Sequence, residues 1–160
     1  MTAESEPTEG DTLKLPGTPK PWMNRAVIGA LKTPGLGALL GRTFMILTVT
    51  GAKTGTRYTT PVQYVRDGNH LLVLSQRHRL WWRNIRSRPA VEVLLKGKTV
   101  RTRARLLEGA DARPALENLL RLNPRLTKFY GLETDPDGAP TPPAIRQLHD
   151  AFVVIAIDHP

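Results

Sequence analysis

A mainly β, antiparallel domain with flanking helices (α+β) is the fold class this sequence predicts, and three observations predict it. Residues 44–50 alternate, with Met45, Leu47 and Val49 on one face and Thr48 and Thr50 on the other, the period-two pattern of a half-buried strand. Short turn signals, at residues 51–57, at Asp67-Gly68 and at Lys96-Gly97-Lys98, separate successive strand-like runs. The connections before Leu107 are too short for parallel crossovers, so a Greek-key or meander barrel of about six antiparallel strands follows.

In chain order, residues 1–20 combine acids with Pro7, Pro16, Gly17 and Pro19, and no apolar residue recurs at a helical period. A disordered or loosely attached tail is expected there, with a single domain over residues 21–160. Residues 21–41 set Trp22, Val27, Ile28, Leu31, Leu36, Leu39 and Leu40 among Arg25, Lys32 and Arg42, broken by Pro34-Gly35; this predicts two short amphipathic helices. Their apolar side either caps a barrel mouth or, with its basic flank, makes residues 21–42 a peripheral membrane contact.

The second strand, residues 58–66, contains Pro61, which cannot donate to a ladder and so marks an edge or a bulge. A third strand covers 70–75, and the runs 91–95 and 99–107 pair as a hairpin. In the latter, Arg101, Arg103 and Arg105 share one face, either a solvated face that discourages edge aggregation or a surface that meets an extended acidic group. Residues 111–122 read as a helix with Leu116, Leu119 and Leu120 on its apolar stripe, followed by a further turn or helix over 125–132. A Pro- and Gly-rich loop over 134–143, a helical turn over 144–149 and a buried closing strand over 151–157 complete the chain.

Composition narrows the function. The chain has 160 residues and no cysteine, which removes thiol catalysis, thiolate metal sites and disulfides. No apolar run approaches a membrane span and the N-terminus is acidic rather than signal-like, so a cytoplasmic protein is expected, with membrane association only through residues 21–42. The net charge is +9, but residues 14–105 alone carry 18 bases against Asp67 and Glu92. Such a field suits a phosphorylated cofactor, a nucleic acid or an anionic membrane.

The turn 51–57 concentrates the chemistry. Two glycines let its backbone N–H groups approach an anion, and Lys53 and Arg57 supply charge to hold one. A basic, partly aromatic segment, residues 76–84, follows the third strand, and in a curled sheet the two can converge on one ligand. His70, His78, His149 and His159 show no metal-ligand spacing, and no G-x-S-x-G elbow is present. Ser75 and His78 lack an orienting acid for a nucleophilic pair. Tyr64 and Tyr130 are either proton donors or core aromatics with satisfied hydroxyls, and of the adjacent Trp81 and Trp82 at most one can stack on a ring.

Residues 48–62, Asp67-Gly68, residues 71–75 and Trp81-Trp82-Arg83-Asn84 together resemble the deazaflavin (F420)-dependent nitroreductase and F420H2-dependent quinone reductase family. The resemblance runs in order from Phe44 to Leu107. It implies a split β-barrel related to the FMN-binding oxidoreductases, with coenzyme F420 rather than FMN as cofactor. The family's Gly-Arg-Lys-Ser-Gly turn is here Gly51-Ala52-Lys53-Thr54-Gly55, so Lys53, Thr54 and Gly55 inherit a phosphate-contact role, with Arg57 replacing charge lost at Ala52. Pro61 falls within the matched run, Ser75 and Gln76 match the loop after the third strand, and Trp81 and Asn84 match a Trp-x-x-Asn pattern near the cofactor. The activity implied is hydride transfer from reduced F420 to an electron-poor small molecule (quinone, nitroaromatic or enone), by a monomer or homodimer.

Two rivals stand beside it. One is a nucleic-acid-binding barrel, disfavoured because only nine aromatics are present and they cluster poorly with the arginine strand. The other is a non-catalytic barrel that carries a hydrophobic ligand or cofactor.

Overall fold

The computed structural model describes residues 13–159, and the part of the expected tail over residues 1–12 lies outside them. Two helices, α1 (Pro21–Lys32) and α2 (Leu36–Leu40), precede seven strands: β1 (Phe44–Thr50), β2 (Arg57–Gln63), β3 (Val65–Asp67), β4 (His70–Gln76), β5 (Ala90–Leu95), β6 (Lys98–Leu107) and β7 (Phe152–Asp158). A 3-10 turn, Trp81–Arg83, and a short helix, α3 (Asn84–Ser87), link β4 to β5. Helices α4 (Ala112–Leu122), α5 (Arg125–Phe129) and α6 (Pro142–Ala151) separate β6 from β7. The strands form one curled antiparallel sheet in the order β2-β1-β5-β6-β7-β4-β3, a split half-barrel with helices.

The strand count is seven rather than about six, because the run expected over residues 58–66 breaks at Tyr64. Its β2 half pairs with β1 as far as Phe44↔Gln63, whereas its β3 half pairs with β4 at the opposite edge. Tyr64 makes the break: its N–H donates to the Thr43 carbonyl (3.0 Å) and its hydroxyl to the Gly41 carbonyl (2.6 Å), so both groups leave the ladder. Pro61 sits on edge strand β2 opposite Ile46, where a missing donor costs no interstrand bond on the open side. The β5–β6 hairpin forms as expected.

The pleat sends alternate residues to two cores. The concave face gathers Met45, Leu47, Val49, Leu71, Val73, Val93, Ile155 and Ile157 with Tyr64, Trp82 and Ile85. The convex face beside β7 and β4 is covered by α4, α5 and α6, where Leu72, Val154 and Phe152 meet Leu116, Leu119, Leu148 and Tyr130. The rest of the convex face, on β2, β1, β5 and β6, carries Arg57, Thr59, Thr48, Glu92, Arg101 and Arg103 and lies open apart from α1. The three arginines Arg101, Arg103 and Arg105 are all exposed.

Helix α6 begins two residues earlier than the expected turn. Pro142 opens it at a position where its missing N–H is no loss, and the Thr141 hydroxyl accepts from the Ala144 N–H. Within the expected tail, two described residues carry hydrogen bonds to the fold: the Lys14 N–H donates to the Tyr130 carbonyl (2.8 Å), and Gln76 Nε2 donates to the Pro16 carbonyl (2.7 Å). Among the described residues, no helix is long and apolar enough to cross a membrane.

Candidate active site

The glycine turn and the Trp-x-x-Asn segment meet through one side chain. Asn84 Oδ1 accepts from the Ala52 N–H (3.0 Å), and Asn84 Nδ2 donates to the Trp81 carbonyl (3.1 Å), so Asn84 clasps the turn to the segment after β4. Within the turn, the Gly51 N–H donates to the Thr56 carbonyl (2.7 Å) and the Gly55 N–H to the Gly51 carbonyl (3.0 Å). The Thr56 N–H reaches the Thr54 hydroxyl (3.3 Å). Among the described residues the backbone N–H groups of Lys53 and Thr54 have no partner, and both side chains are exposed.

This arrangement needs its glycines. A Cβ on Gly51 would stand 3.1 Å from the Tyr58 ring and 3.2 Å from the Thr56 carbonyl, and Gly55 has φ +72°, which side chains rarely adopt. The two adjacent free N–H groups with the Lys53 ammonium form a donor set suited to a phosphate. Gly55 shapes this cradle, its own N–H being used inside the turn.

Arg57 lies elsewhere. It heads β2 on the convex face, where its guanidinium meets Glu92 Oε1 at 2.9 Å, and Arg101 approaches the same carboxylate at 3.8 Å. Around this cluster run two adjoining grooves of about 230 and 290 Å³ that share Thr48, Arg57 and Glu92 and reach Lys32, Thr59 and Thr99. Glu92 is one of only two acids in the basic segment, residues 14–105, but no motif marks it in the sequence. Its 35-residue separation from Arg57 hid the pairing.

At the end of β4 the pleat parts the neighbours Ser75 and Gln76. Both are buried, Ser75 with the concave-face positions Leu71 and Val73, and Gln76 on the opposite face under Pro16. Trp81 packs half-buried against the concave core while Trp82 is buried, with the Arg83 and Arg86 guanidiniums 5.5 and 5.9 Å from its ring centre. The indole nitrogens of both tryptophans, Gln76 Oε1 and Arg79 Nε are buried without a hydrogen-bond partner. Such orphans are uncommon and call for a partner such as an ordered water or a bound polar group.

The two tyrosines do not share a site. Tyr64 belongs to the concave core, and burial, opposed by Arg66, raises its pKa. Tyr130 belongs to the helical-face core, where burial, opposed by Arg79, pushes its pKa up to about 12. Among the described residues no group of three or more His, Asp or Glu could hold a metal ion.

A sequence profile of the F420H(2)-dependent quinone reductase family matches residues 24–136, which spans the helical hairpin, the glycine turn, the clasp and α4. The chain belongs to that family. It is accordingly an F420-dependent reductase, with coenzyme F420 as cofactor. The fold is shared with solved structures of low identity. An F420-H2-dependent reductase (FDR-A) aligns at 19% identity and TM-score 0.51, covering 74% of this chain and 95% of that one. A conserved hypothetical protein, Rv2991 of Mycobacterium tuberculosis, aligns at 17% identity and TM-score 0.55, covering 77% and 76%. A structure described as a domain-swapped dimer aligns at 18% identity and TM-score 0.52, covering 84% and 93%.

The residues present fit the cofactor. Free turn N–H groups and Lys53 suit its phosphate, while the unpartnered indole N–H of Trp81, in the segment that Asn84 clasps to the turn, suits a polar atom of its ring system.

Proposed function

We propose that this member of the family passes a hydride from reduced F420 to an electron-poor small molecule, with a quinone as the leading acceptor and nitroaromatics and enones as further candidates. The observation that carries the reading is the Asn84 clasp, which ties a phosphate-type turn to the Trp81 segment. In this reading Lys53 and Thr54 hold the phosphate, and Asn84 positions the turn. Trp81 and Ser75 lie toward the ring on the concave side, whereas Pro61 and Gln76 stand on the other face of the sheet, and Arg57 with Arg101 supports the acidic tail from the convex grooves. The bound cofactor supplies the hydride, so the protein contributes position, electrostatics and exclusion of water.

The geometry weakens Tyr64 as a proton source, because its hydroxyl already donates to the Gly41 carbonyl. Tyr130 lies nearer the segment after β4 through Arg79, but a pKa raised by burial makes its hydroxyl a poor acid at neutral pH. A homodimer is part of the proposal, by analogy with the domain-swapped dimer above. A cytoplasmic location with peripheral membrane contact through residues 21–42 is also part of it. Trp22, Met23, Leu36 and Leu39 are exposed there among Lys20, Arg25 and Lys32.

One observation favours a second reading, carriage of an apolar ligand. A cleft of about 740 Å³ between α4, α5 and the loop before α6 is floored by Leu120, Pro124 and Ile145. A binding screen of the purified protein against F420, FMN and NADPH tests the assignment. Saturable F420 fluorescence changes with no bound flavin support the reductase, whereas stoichiometric FMN or a co-purifying apolar molecule contradicts it.

A further inference from the structure

The cleft between α4, α5 and the loop before α6 has one polar group at its apolar floor. Three of its lining residues are buried, Leu120 on α4, Thr127 on α5 and Ile145 on α6. Thr127 is only 9% exposed. Its N–H donates to the Pro124 carbonyl (3.2 Å) and its carbonyl accepts from the Leu132 N–H (2.9 Å), but among the described residues its hydroxyl has no hydrogen-bond partner. A hydroxyl so deeply buried ordinarily has one.

The walls are formed in advance of any ligand. In the loop, the Asp135 N–H donates to the Ala139 carbonyl (2.8 Å), the Gly138 N–H to the Asp135 carbonyl (2.9 Å) and the Thr141 N–H to the Glu133 carbonyl (2.9 Å). Pro124, Pro140 and Pro142, each with a fixed φ, complete the lining. Such a site has little to order on binding. Pyrrolidine rings present C–H surfaces, which suit the electron-rich face of an aromatic ring.

The rim favours neither sign of charge. Arg113 pairs with Glu117 at 2.9 Å, and Asp135 Oδ1 accepts from the Asp137 and Ala139 N–H groups. Arg121, which donates to Asn118 Oδ1, and Asp137 add one charge of each kind. A charged group at the floor would meet only a hydroxyl among apolar side chains and would be buried without a counter-ion, which is costly. The occupant that fits is therefore neutral. The volume, about 740 Å³, lies within the roughly 300–1,000 Å³ usual for small-ligand sites. The family profile ends at residue 136, so the wall from Asp137 to Ile145 lies outside what family membership explains. The helices that form the cleft cover the convex face, whereas Trp81 packs on the concave one.

We propose that this cleft binds a neutral aromatic molecule that carries a hydroxyl or carbonyl group, a phenol being the simplest case, with its ring against the prolines and its oxygen on the Thr127 hydroxyl. The proposal rests on the ligand-carriage reading of the cleft and is independent of the F420 assignment.

The test uses the full chain and two probes that differ by one hydroxyl, 2-naphthol and naphthalene. Wild type is expected to bind 2-naphthol saturably, with NMR shifts at the methyl groups of Leu120, Thr127 and Ile145 and nuclear Overhauser contacts from the ring protons beside the oxygen to the Thr127 methyl. Thr127→Val keeps the shape and removes the hydroxyl. It is expected to bind 2-naphthol roughly two- to twelvefold more weakly, the worth of one hydrogen bond, and naphthalene no more weakly than wild type does. Should that variant not fold, the contacts in wild type decide. Equal changes for the two probes in Thr127→Val, or contacts that set the far ring of 2-naphthol at Thr127, overturn the hydrogen-bonded class and leave a purely apolar cleft. Displacement of 2-naphthol by F420, or shifts confined to residues outside the cleft, overturns the proposed site. Absence of saturable binding by either probe overturns the carriage reading together with the proposal, and the F420 titration of the same protein stands apart from all of these results.

Discussion

Replacing Asn84 by alanine should separate the cofactor turn from the segment that supports it. The side chain makes two part-buried hydrogen bonds, to the Ala52 N–H at 3.0 Å and to the Trp81 carbonyl at 3.1 Å. At ~0.5–1.5 kcal/mol each, their joint loss costs about 1–3 kcal/mol of stability. For a chain of this size that lowers the melting temperature by about 2–12 °C. Binding should suffer as well, because a turn no longer held must be ordered when the phosphate docks; a loss of one such bond's worth corresponds to a roughly two- to twelvefold weaker F420 complex. Lys53→Ala, in contrast, removes an exposed side chain that supports no packing, so its melting temperature should match wild type while its F420 affinity falls. If both residues act through one turn, the double variant should lose less affinity than the two losses combined. Melting curves and F420 titrations of the four proteins decide the matter. An Asn84→Ala protein that melts lower yet binds F420 as wild type does would refute the reasoning, since the turn would then be structural only.

Lys53→Ala should weaken F420 binding by about one to two orders of magnitude, the value of a charge-assisted hydrogen bond, and the deficit should shrink as salt rises in parallel titrations. Tyr64→Phe, which strands the buried Gly41 carbonyl, should cost about 1–3 kcal/mol by chemical denaturation; an unchanged stability with a lower kcat would return Tyr64 to the chemistry. Because the folded Tyr130 pKa, about 12, lies above its ordinary value of 10.0, its contribution to stability is complete below pH 10 and is lost as pH rises from there toward 12. The difference in stability between wild type and Tyr130→Phe should therefore diminish over that alkaline window. Gly51→Ala should destabilise the turn, read as a lower melting temperature, because its Cβ would press on the Tyr58 ring and the Thr56 carbonyl.

Much of this architecture is legible in the sequence, for local reasons. The alternation in β1, the hairpin at Lys96-Gly97 and the leucine stripe of α4 each follow from period and turn chemistry, which neighbouring residues determine among themselves. The break at Tyr64 is not legible, because it depends on carbonyls of Thr43 and Gly41 that only tertiary folding brings near. In the site, the sequence suggests the convergence of the glycine turn with the Trp81 segment, but not the clasping role of Asn84, whose partner, the Ala52 N–H, lies 32 residues away in the chain. Sequence proximity groups Arg57 with Lys53, yet strand geometry turns it to the convex face and toward Glu92. Residues 13–16 read as part of a disordered or loosely attached tail because their bonds come from the backbone N–H and carbonyl of Lys14 and Pro16, which composition does not reveal.

The central claim, that this chain uses F420 for hydride transfer, is tested most directly by anaerobic oxidation of F420H2 with a soluble quinone, followed by the return of oxidised-cofactor absorbance. Oxidation that depends on the protein, saturates in F420H2 and slows in Lys53→Ala is the predicted result. A rate no faster than the protein-free reaction across quinones, nitroaromatics and enones, at cofactor concentrations that saturate binding, would contradict it.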